Sequence, residues 1–145
     1  MTAGLIRQLS AGAALCIAAL FATPAAAQTG VVEQQFKRAD YAYDQHGYVR
    51  MGWEKQSILR NGAEQSFTIT LTGGSEYSLI GVCDADCENL DIYVTDDKGV
   101  EVTKDAEDDD YPVVYIKRGG TMNVRVVMKG CRDSPCEFGI RAYRM

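Results

Sequence analysis

The feature that most constrains the fold is a series of short segments in which apolar and polar residues alternate. The clearest is residues 66–72, where Phe67, Ile69 and Leu71 alternate with serine and threonines. Such alternation gives a strand one face for a core and one for solvent. Similar segments are residues 90–95, 100–103, 112–116, 122–128 and 136–142, with weaker ones at 48–53 and 56–60. Residues 77–83 are instead apolar on both faces, as in a central strand. Glycine-rich turns separate several of them, so we predict an all-β fold, an antiparallel β-sandwich of about eight strands.

One segment ahead of the strands has the periodicity of a helix. Its apolar residues recur at spacings of three and four, namely Val32, Phe36, Ala39 and Tyr43. Thr29 is placed to act as an N-cap and Gly47 to end the helix. We therefore predict an N-terminal helix within residues 28–47, packed on a β-sandwich domain of residues 48–145.

Residues 1–27 have the three parts of a secretory signal peptide. Arg7 lies in a short basic region, an apolar run spans residues 11–21, and three alanines precede Gln28. The run is shorter than the roughly 20 residues that a membrane-spanning helix needs. A lipoprotein signal at Cys16 would require a small residue before the cysteine, where the chain has Leu15. We predict cleavage after Ala27 and a periplasmic or secreted product without a membrane span.

The charge of the remaining chain bears on its partners. Removing the signal peptide leaves 14 basic and 20 acidic residues, a net charge of about −6. Proteins that bind phosphate backbones obtain most of their affinity from basic side chains. Nucleic acid is therefore not expected as a partner, and residues 28–145 are the size of a single domain.

Four cysteines remain after signal cleavage, as a C-x3-C pair, Cys83 and Cys87, and a C-x4-C pair, Cys131 and Cys136. Three pairings into disulfides are possible. The residues inside each pair are turn formers, which can bring the Cα atoms within the roughly 4.4–6.8 Å that a disulfide allows. We favour the two local disulfides, which would fix the shape of two loops.

Two other roles for these cysteines remain open as alternatives. A four-cysteine zinc site is compatible with the spacing, but disulfides form first in an oxidising compartment. Thiol–disulfide catalysis is less well supported, because it generally uses C-x-x-C and a thiol of lowered pKa. Here Asp84, Asp86 and Glu88 surround the first pair, and nearby carboxylates raise the pKa of a thiol.

Residues 65–143 resemble a known bacterial domain. The sequence LDIYVTDDKG at residues 90–99, an acid-rich gap, Pro112-Val-Val and then GTMNVRV at residues 120–126 are similar to the pre-peptidase C-terminal (PPC-like) domain, with its LDLYVYDxxG and GxYxVRV strands. They are also similar to small stand-alone exported proteins of that type. The resemblance implies a jelly-roll-like β-sandwich that is usually a non-catalytic appendage of secreted peptidases, with calcium or matrix polymers as ligands of some members.

Twelve acidic residues lie at positions 84 to 110. Carboxylates converging from two loops suit calcium, which takes six to eight oxygen ligands. An EF-hand loop is excluded, because Asn89 and Thr95 stand where that loop needs glycine and glutamate. The alternative is a solvated acidic surface. Our candidate calcium ligands are Asp84, Asp86, Asp91, Asp108 and Asp110.

Catalytic residues are hard to find in the sequence. The single histidine, His46, lies at the end of the predicted helix, and no G-x-S-x-G motif accompanies it. A hydrolase using surface carboxylates stays an alternative. Exposed aromatic residues offer another kind of site, since Trp53, Tyr41, Tyr43 and Tyr48 would form either a sugar-stacking surface or, as we favour, the packing of the helix on the sandwich.

These observations together predict an exported, non-catalytic binding or accessory module. No cofactor is expected other than calcium. The partner would be a protein or polysaccharide of the envelope or exterior. The two alternatives are a calcium-dependent matrix or glycan binder and a small carboxylate-based hydrolase.

Overall fold

The computed structural model describes residues 29–145, which contain one helix and eight strands. Their bounds are α1 Thr29–Gln45, β1 Val49–Leu59, β2 Glu64–Leu71, β3 Tyr77–Cys83, β4 Cys87–Asp96, β5 Glu101–Asp105, β6 Val113–Ile116, β7 Gly120–Cys131 and β8 Cys136–Arg144. The helix in this part of the chain is too short and too polar to cross a membrane. The predicted signal peptide, residues 1–27, lies outside the described residues.

The strands form two four-stranded sheets in which all neighbours are antiparallel. One sheet has the order β1-β8-β3-β6 and the other β2-β7-β4-β5. Each strand of one sheet is followed or preceded by a strand of the other, which is the arrangement of an eight-stranded jelly roll. The prediction of an all-β sandwich with an N-terminal helix is confirmed.

The core lies between the sheets and follows the alternation of the sequence. On β2, Ile69 and Leu71 are buried in the core and Phe67 packs against it, while the intervening threonines are exposed. On β4, Leu90, Ile92 and Val94 contribute in the same way. Burial of these side chains stabilises the fold by roughly 1.5–3 kcal/mol each.

The first strand differs from the prediction of two short ones. Strand β1 runs without a break from Val49 to Leu59, but its register with β8 shifts between Arg50 and Glu54. Gly52 sits in this bulge with φ of 75°, a conformation that favours glycine. The bulge adds residues to one strand and so interrupts the period of two in the sequence.

Helix α1 covers the outer face of the sheet formed by β1, β8, β3 and β6, which we call the covered sheet. Val32, Phe36 and Ala39 are buried there against Ile80 and Val82. The ring of Phe36 fits over Gly139 of β8, since a Cβ atom at that glycine would lie 2.6 Å from two ring carbons. Within residues 29–145 no helix covers the sheet formed by β2, β7, β4 and β5, and we call it the bare sheet.

Both disulfides are local, as predicted. Cys83 is bonded to Cys87 and Cys131 to Cys136. The two disulfides are also neighbours in the bare sheet, because Cys87 of β4 lies opposite Cys131 of β7. The disulfides thus fix the two loops at one end of the sandwich, and they fit an oxidising compartment.

Candidate functional site

A buried arginine anchors the helix to the covered sheet. Arg141 of β8 is 1% exposed, and its guanidinium lies 4.0 Å from the centre of the Phe36 ring. Its Nη1 donates to Oδ2 of Asp40 on α1 at 2.8 Å, and its Nε donates to Oε2 of Glu54 on β1 at 2.8 Å. A buried guanidinium needs such compensation, since an unpaired one is very costly. Arg141 therefore joins the helix and two strands through one group.

A cavity of about 440 Å³ opens beside this anchor between α1 and the start of β1. Asp40 lines it, but both oxygens of that carboxylate are occupied, because Tyr143 donates its hydroxyl to Oδ1 at 2.7 Å while Arg141 holds Oδ2. Burial and the hydrogen bond to Asp40 raise the pKa of Tyr143 far above its ordinary value, so its hydroxyl stays protonated. The side chains of Asp40 and Tyr143 in this cavity are thus engaged in holding the helix in place.

A second cleft lies on the other side of the helix, between α1 and strand β6. Two open cavities of about 380 and 310 Å³ adjoin there and share Ala42 as a lining residue. We call this cleft the aromatic groove. Its lining side chains include Arg38, Ala42, His46, Tyr48, Tyr111 and Tyr115.

Packed tyrosines form the floor of the aromatic groove. The Tyr43 ring stacks on Tyr143 with centroids 4.2 Å apart and meets Tyr48 edge-on at 5.2 Å. The hydroxyls of Tyr43 and Ser78 share a hydrogen bond of 2.7 Å, and Tyr48 donates to Oε1 of Glu76. Burial raises the pKa of Tyr48 to about 12, with the bond to Glu76 adding to the effect. The tyrosine hydroxyls of the floor therefore stay protonated at physiological pH and are held by Ser78 and Glu76.

The opposite wall, formed by β6 and the residues just before it, is different because its two tyrosines are open to solvent. Tyr115 is 52% exposed and Tyr111 is 38% exposed. Tyr115 and Val113 leave one face of β6, while Val114 and Ile116 leave the other and enter the core. The two rings thus stand beside the helix without taking part in the core.

The outcome for the predicted aromatic residues is divided. Tyr43 and Tyr48 pack between helix and sheet, as favoured, whereas Tyr41 is 71% exposed on the opposite side of the helix. Trp53 packs against the edge of the core and donates its indole N–H to the carbonyl of Thr68. Tyr111 and Tyr115 were not predicted as site residues, although a spacing of four in extended chain puts two side chains on one face.

The predicted calcium ligands near the first disulfide are engaged in fixing loops. Asp84 accepts backbone N–H groups with both oxygens, from Asp86 at 3.2 Å and from Glu137 at 2.6 Å. Asp86 accepts from Arg132 at 3.1 Å. The bonds from Glu137 to Asp84 and from Arg132 to Asp86 join the two disulfide loops.

The other predicted calcium ligands lie further along. Asp108 accepts a hydrogen bond from the Asn89 side-chain amide at 2.7 Å, and Asp110 is exposed. Asp91 is only 2% exposed and accepts a hydrogen bond from the Tyr93 hydroxyl at 2.9 Å. Within residues 29–145, no three acidic, histidine or cysteine side chains converge as a metal site. The five aspartates are therefore not brought together, but Oδ1 of Asp91 and Oδ1 of Asn89 are buried without a hydrogen-bond partner. Calcium binding itself stays a prediction.

His46 lies on the exposed turn after α1, where its backbone N–H donates to the carbonyl of Tyr43 at 3.0 Å. In the described part of the chain its imidazole has no hydrogen bond to a carboxylate or a serine. A catalytic triad would need both contacts. In this structure His46 lines the aromatic groove and has neither of the contacts of a triad histidine.

No protein-family model matches this chain, and no significant match to it is found among curated proteins.

Proposed function

We propose that this chain is an exported, non-catalytic binding module that holds its ligand in the aromatic groove. The observation that carries the proposal is the exposure of Tyr111 and Tyr115 along one wall of an open cleft. Tyrosine is enriched at binding surfaces because it offers a large rigid ring and a polar hydroxyl. Neither ring is needed to fill the core.

The proposed compartment is the periplasm or the exterior of the cell. Two disulfides favour an oxidising environment, and residues 1–27 carry the features of a signal peptide. The resemblance of residues 65–143 to pre-peptidase C-terminal domains supports an accessory role, and we propose a free-standing module of that type. The partner would be a protein or polysaccharide of the envelope or exterior.

The proposal is tested by removing the groove tyrosines. Wild type and a Tyr111→Ala/Tyr115→Ala double variant are immobilised and exposed to solubilised envelope and culture-medium fractions, and bound proteins and sugars are identified. Both substituted side chains are exposed, so the variant should keep the melting temperature of the wild type. Tyr41→Ala is the matched control, since it removes an exposed ring outside the groove. A ligand retained equally by all three proteins would contradict the role of the groove, and turnover on a hydrolase panel would contradict a non-catalytic module.

Calcium dependence is a second candidate, favoured by the buried unpartnered oxygens of Asp91 and Asn89. No Lys or Arg nitrogen among residues 29–145 lies within 4.0 Å of the Asp91 carboxylate. A hard cation with oxygen ligands would compensate such a group. Calcium at about 1 mM should then raise the melting temperature, and Asp91→Asn should remove the increase.

Asp84→Asn is the control for the calcium experiment. Both Asp84 oxygens already accept backbone N–H groups, so this change should lower the starting melting temperature and leave the calcium response intact. Equal melting temperatures with and without calcium would eliminate this candidate.

A further inference from the structure

We infer that the ligand of the aromatic groove is a neutral polysaccharide, whose sugar rings pack on the exposed faces of Tyr111 and Tyr115. The inference rests on the proposed function and names its ligand class. It depends on the geometry of the β6 wall, on the hydrogen-bonding groups left free in the groove, and on the charges around it.

The two tyrosines are held apart by a stretch of chain whose position is fixed. Pro112 is buried against Gly81, where a Cβ atom would lie 2.8 Å from the proline ring, and Gly81 donates its N–H to the Pro112 carbonyl at 2.8 Å. The residue before a proline is restricted to extended conformations. Four residues of extended chain span about 13 Å, so Tyr111 and Tyr115 form two platforms along one line. A linear chain of rings matches two spaced platforms better than a compact ligand does.

The ring faces suit sugars for an electrostatic reason. An aromatic face carries the negative part of the ring quadrupole and attracts weakly positive C–H groups. One face of a sugar ring presents such C–H groups, while its hydroxyls point outward around the rim. Tyr115 is 52% exposed, which leaves part of its ring for this contact.

Hydrogen-bonding groups in the groove are divided between floor and rim. The floor hydroxyls of Tyr43 and Tyr48 are occupied by Ser78 and Glu76. At the rim, the side chains of Arg38 and His46 form no side-chain hydrogen bond within residues 29–145, and the Tyr115 hydroxyl lies close to that of Tyr43. Rim donors and acceptors of this kind are available to sugar hydroxyls.

The charges select an uncharged ligand. Neither cavity of the groove is lined by a carboxylate, so a cationic ligand would meet the positive charge of Arg38 without a negative side chain to bind it. Asp109 and Asp110 directly precede Tyr111, and the chain after signal cleavage has a net charge of about −6, so a polyanion would be repelled. A neutral polysaccharide is not repelled by either set of charges.

Ala42 makes the groove continuous, because it is small and exposed at the point where the two cavities adjoin. A large side chain there would divide the groove without entering the core. Helix positions exposed to solvent accept such a change with little loss of stability. Ala42→Phe is therefore a block that leaves both tyrosines in place.

The test is affinity electrophoresis of the signal-free protein in native gels containing one soluble polysaccharide each. The neutral probes are a β-glucan, a glucomannan, a xylan, dextran and hydroxyethyl cellulose, and a polyuronate is the charged probe. At least one neutral polysaccharide should retard the protein, with retardation unchanged by 0.5 M salt. Tyr115→Ala and Ala42→Phe should each weaken binding at least about tenfold, and Tyr41→Ala should leave it unchanged.

Three outcomes would overturn the inference. They are retardation by none of the neutral polysaccharides, retardation by the polyuronate alone with loss in salt, and retardation that Tyr115→Ala and Ala42→Phe leave intact. A proline-rich peptide titrated in parallel shows whether the polysaccharide alone is wrong or the groove is not a binding site at all. If the peptide binds and Ala42→Phe abolishes its binding, the groove is a binding site and only the polysaccharide is wrong.

Discussion

The outer face of the covered sheet is buried by the helix, whereas the outer face of the bare sheet is exposed to solvent. On the covered sheet, Ile80, Val82 and Tyr143 are buried beneath α1. On the bare sheet, the corresponding outward positions of β2 and β7 are mostly polar and exposed, as at Thr68, Thr70 and Asn123. A strand with both faces buried reads as a continuous apolar run, whereas a strand with one solvated face alternates. The difference in sequence texture between β3 and β2 therefore reports which sheet carries the helix.

The two sheets also differ in how far an arginine on each is exposed to solvent. Arg141 on the covered sheet is 1% exposed and pairs with Asp40 and Glu54. The Arg125 side chain on the bare sheet is 38% exposed, pairs with Glu64 at 2.8 Å and stacks on Tyr93. A buried ion pair is costly to break, because the remaining partner is left uncompensated, while an exposed pair contributes little. Similar contacts thus have different energetic consequences on the two sheets.

The largest expected effect comes from removing the buried arginine. Arg141→Ala should lower the free energy of unfolding by about 3–5 kcal/mol, because Asp40 and Glu54 each lose their bonds to the buried guanidinium that joins the helix to the sheet. Arg125→Ala is the matched variant on the bare sheet and should cost about 0.2–1 kcal/mol. Urea denaturation measures both, and limited proteolysis of Arg141→Ala should cut within α1 first. Equal losses for the two variants would mean that the helix does not bury this charge.

A smaller effect is expected where the helix approaches the sheet most closely. In Gly139→Ala the new Cβ atom would lie 2.6 Å from two carbons of the Phe36 ring, and overpacking of this kind costs about 1–3 kcal/mol. Gly73→Ala is the control, because a Cβ atom there meets nothing within 4 Å. Adding Phe36→Leu should cost less in the Gly139→Ala background than alone, which a double-mutant cycle of unfolding free energies detects. Strict additivity would contradict the contact.

The smallest effect is a dependence of stability on acid. Burial raises the pKa of Glu54, but hydrogen bonds from Gln56 and Arg141 and the charges of Arg141 and Arg50 outweigh it and leave the pKa below 4.5. A carboxyl group whose pKa is lower in the folded state stabilises the fold above its unfolded pKa, and this contribution is lost as the pH falls through the folded value. The melting temperature should therefore be steady above about pH 5 and decline below about pH 4.5.

Glu54→Gln identifies the group responsible for the acid response. The variant should have a lower melting temperature at pH 7 and a shallower decline below pH 4.5, measured by thermal scans in a pH series. Glu64→Gln on the bare sheet should change the profile less, since its partner Arg125 is partly exposed. A decline that is as steep in Glu54→Gln as in the wild type would assign it to other carboxylates.

The elements that depend on local pattern were predictable, as α1 and β2 illustrate. The spacing of Val32, Phe36 and Ala39 placed the helix, and Gly47 ends it with φ of 80°. The local disulfides followed from turn formers between nearby cysteines. Strand β1 was predicted as two strands, because the bulge at Gly52 breaks the period of two and only pairing with β8 shows the strand to be continuous.

The groove and the anchor were not predictable in the same way. Arg141 stands at an outward position of β8 and reads as a solvated charge, since nothing in the sequence links it to Asp40, 101 residues earlier. Tyr111 and Tyr115 became a candidate site only when α1 was placed beside β6. Likewise, the clustered aspartates suggested convergence, but their backbone and side-chain bonds direct them to different loops.

The sequence by itself determined the elements, their inward faces and the disulfide loops, because alternation, helical spacing and turn chemistry act over a few residues. Only the tertiary structure decided how the strands divide between the two sheets, which arginine is buried beneath the helix and which tyrosines remain exposed. Those outcomes depend on contacts between residues far apart in the chain, and no local pattern encodes such contacts.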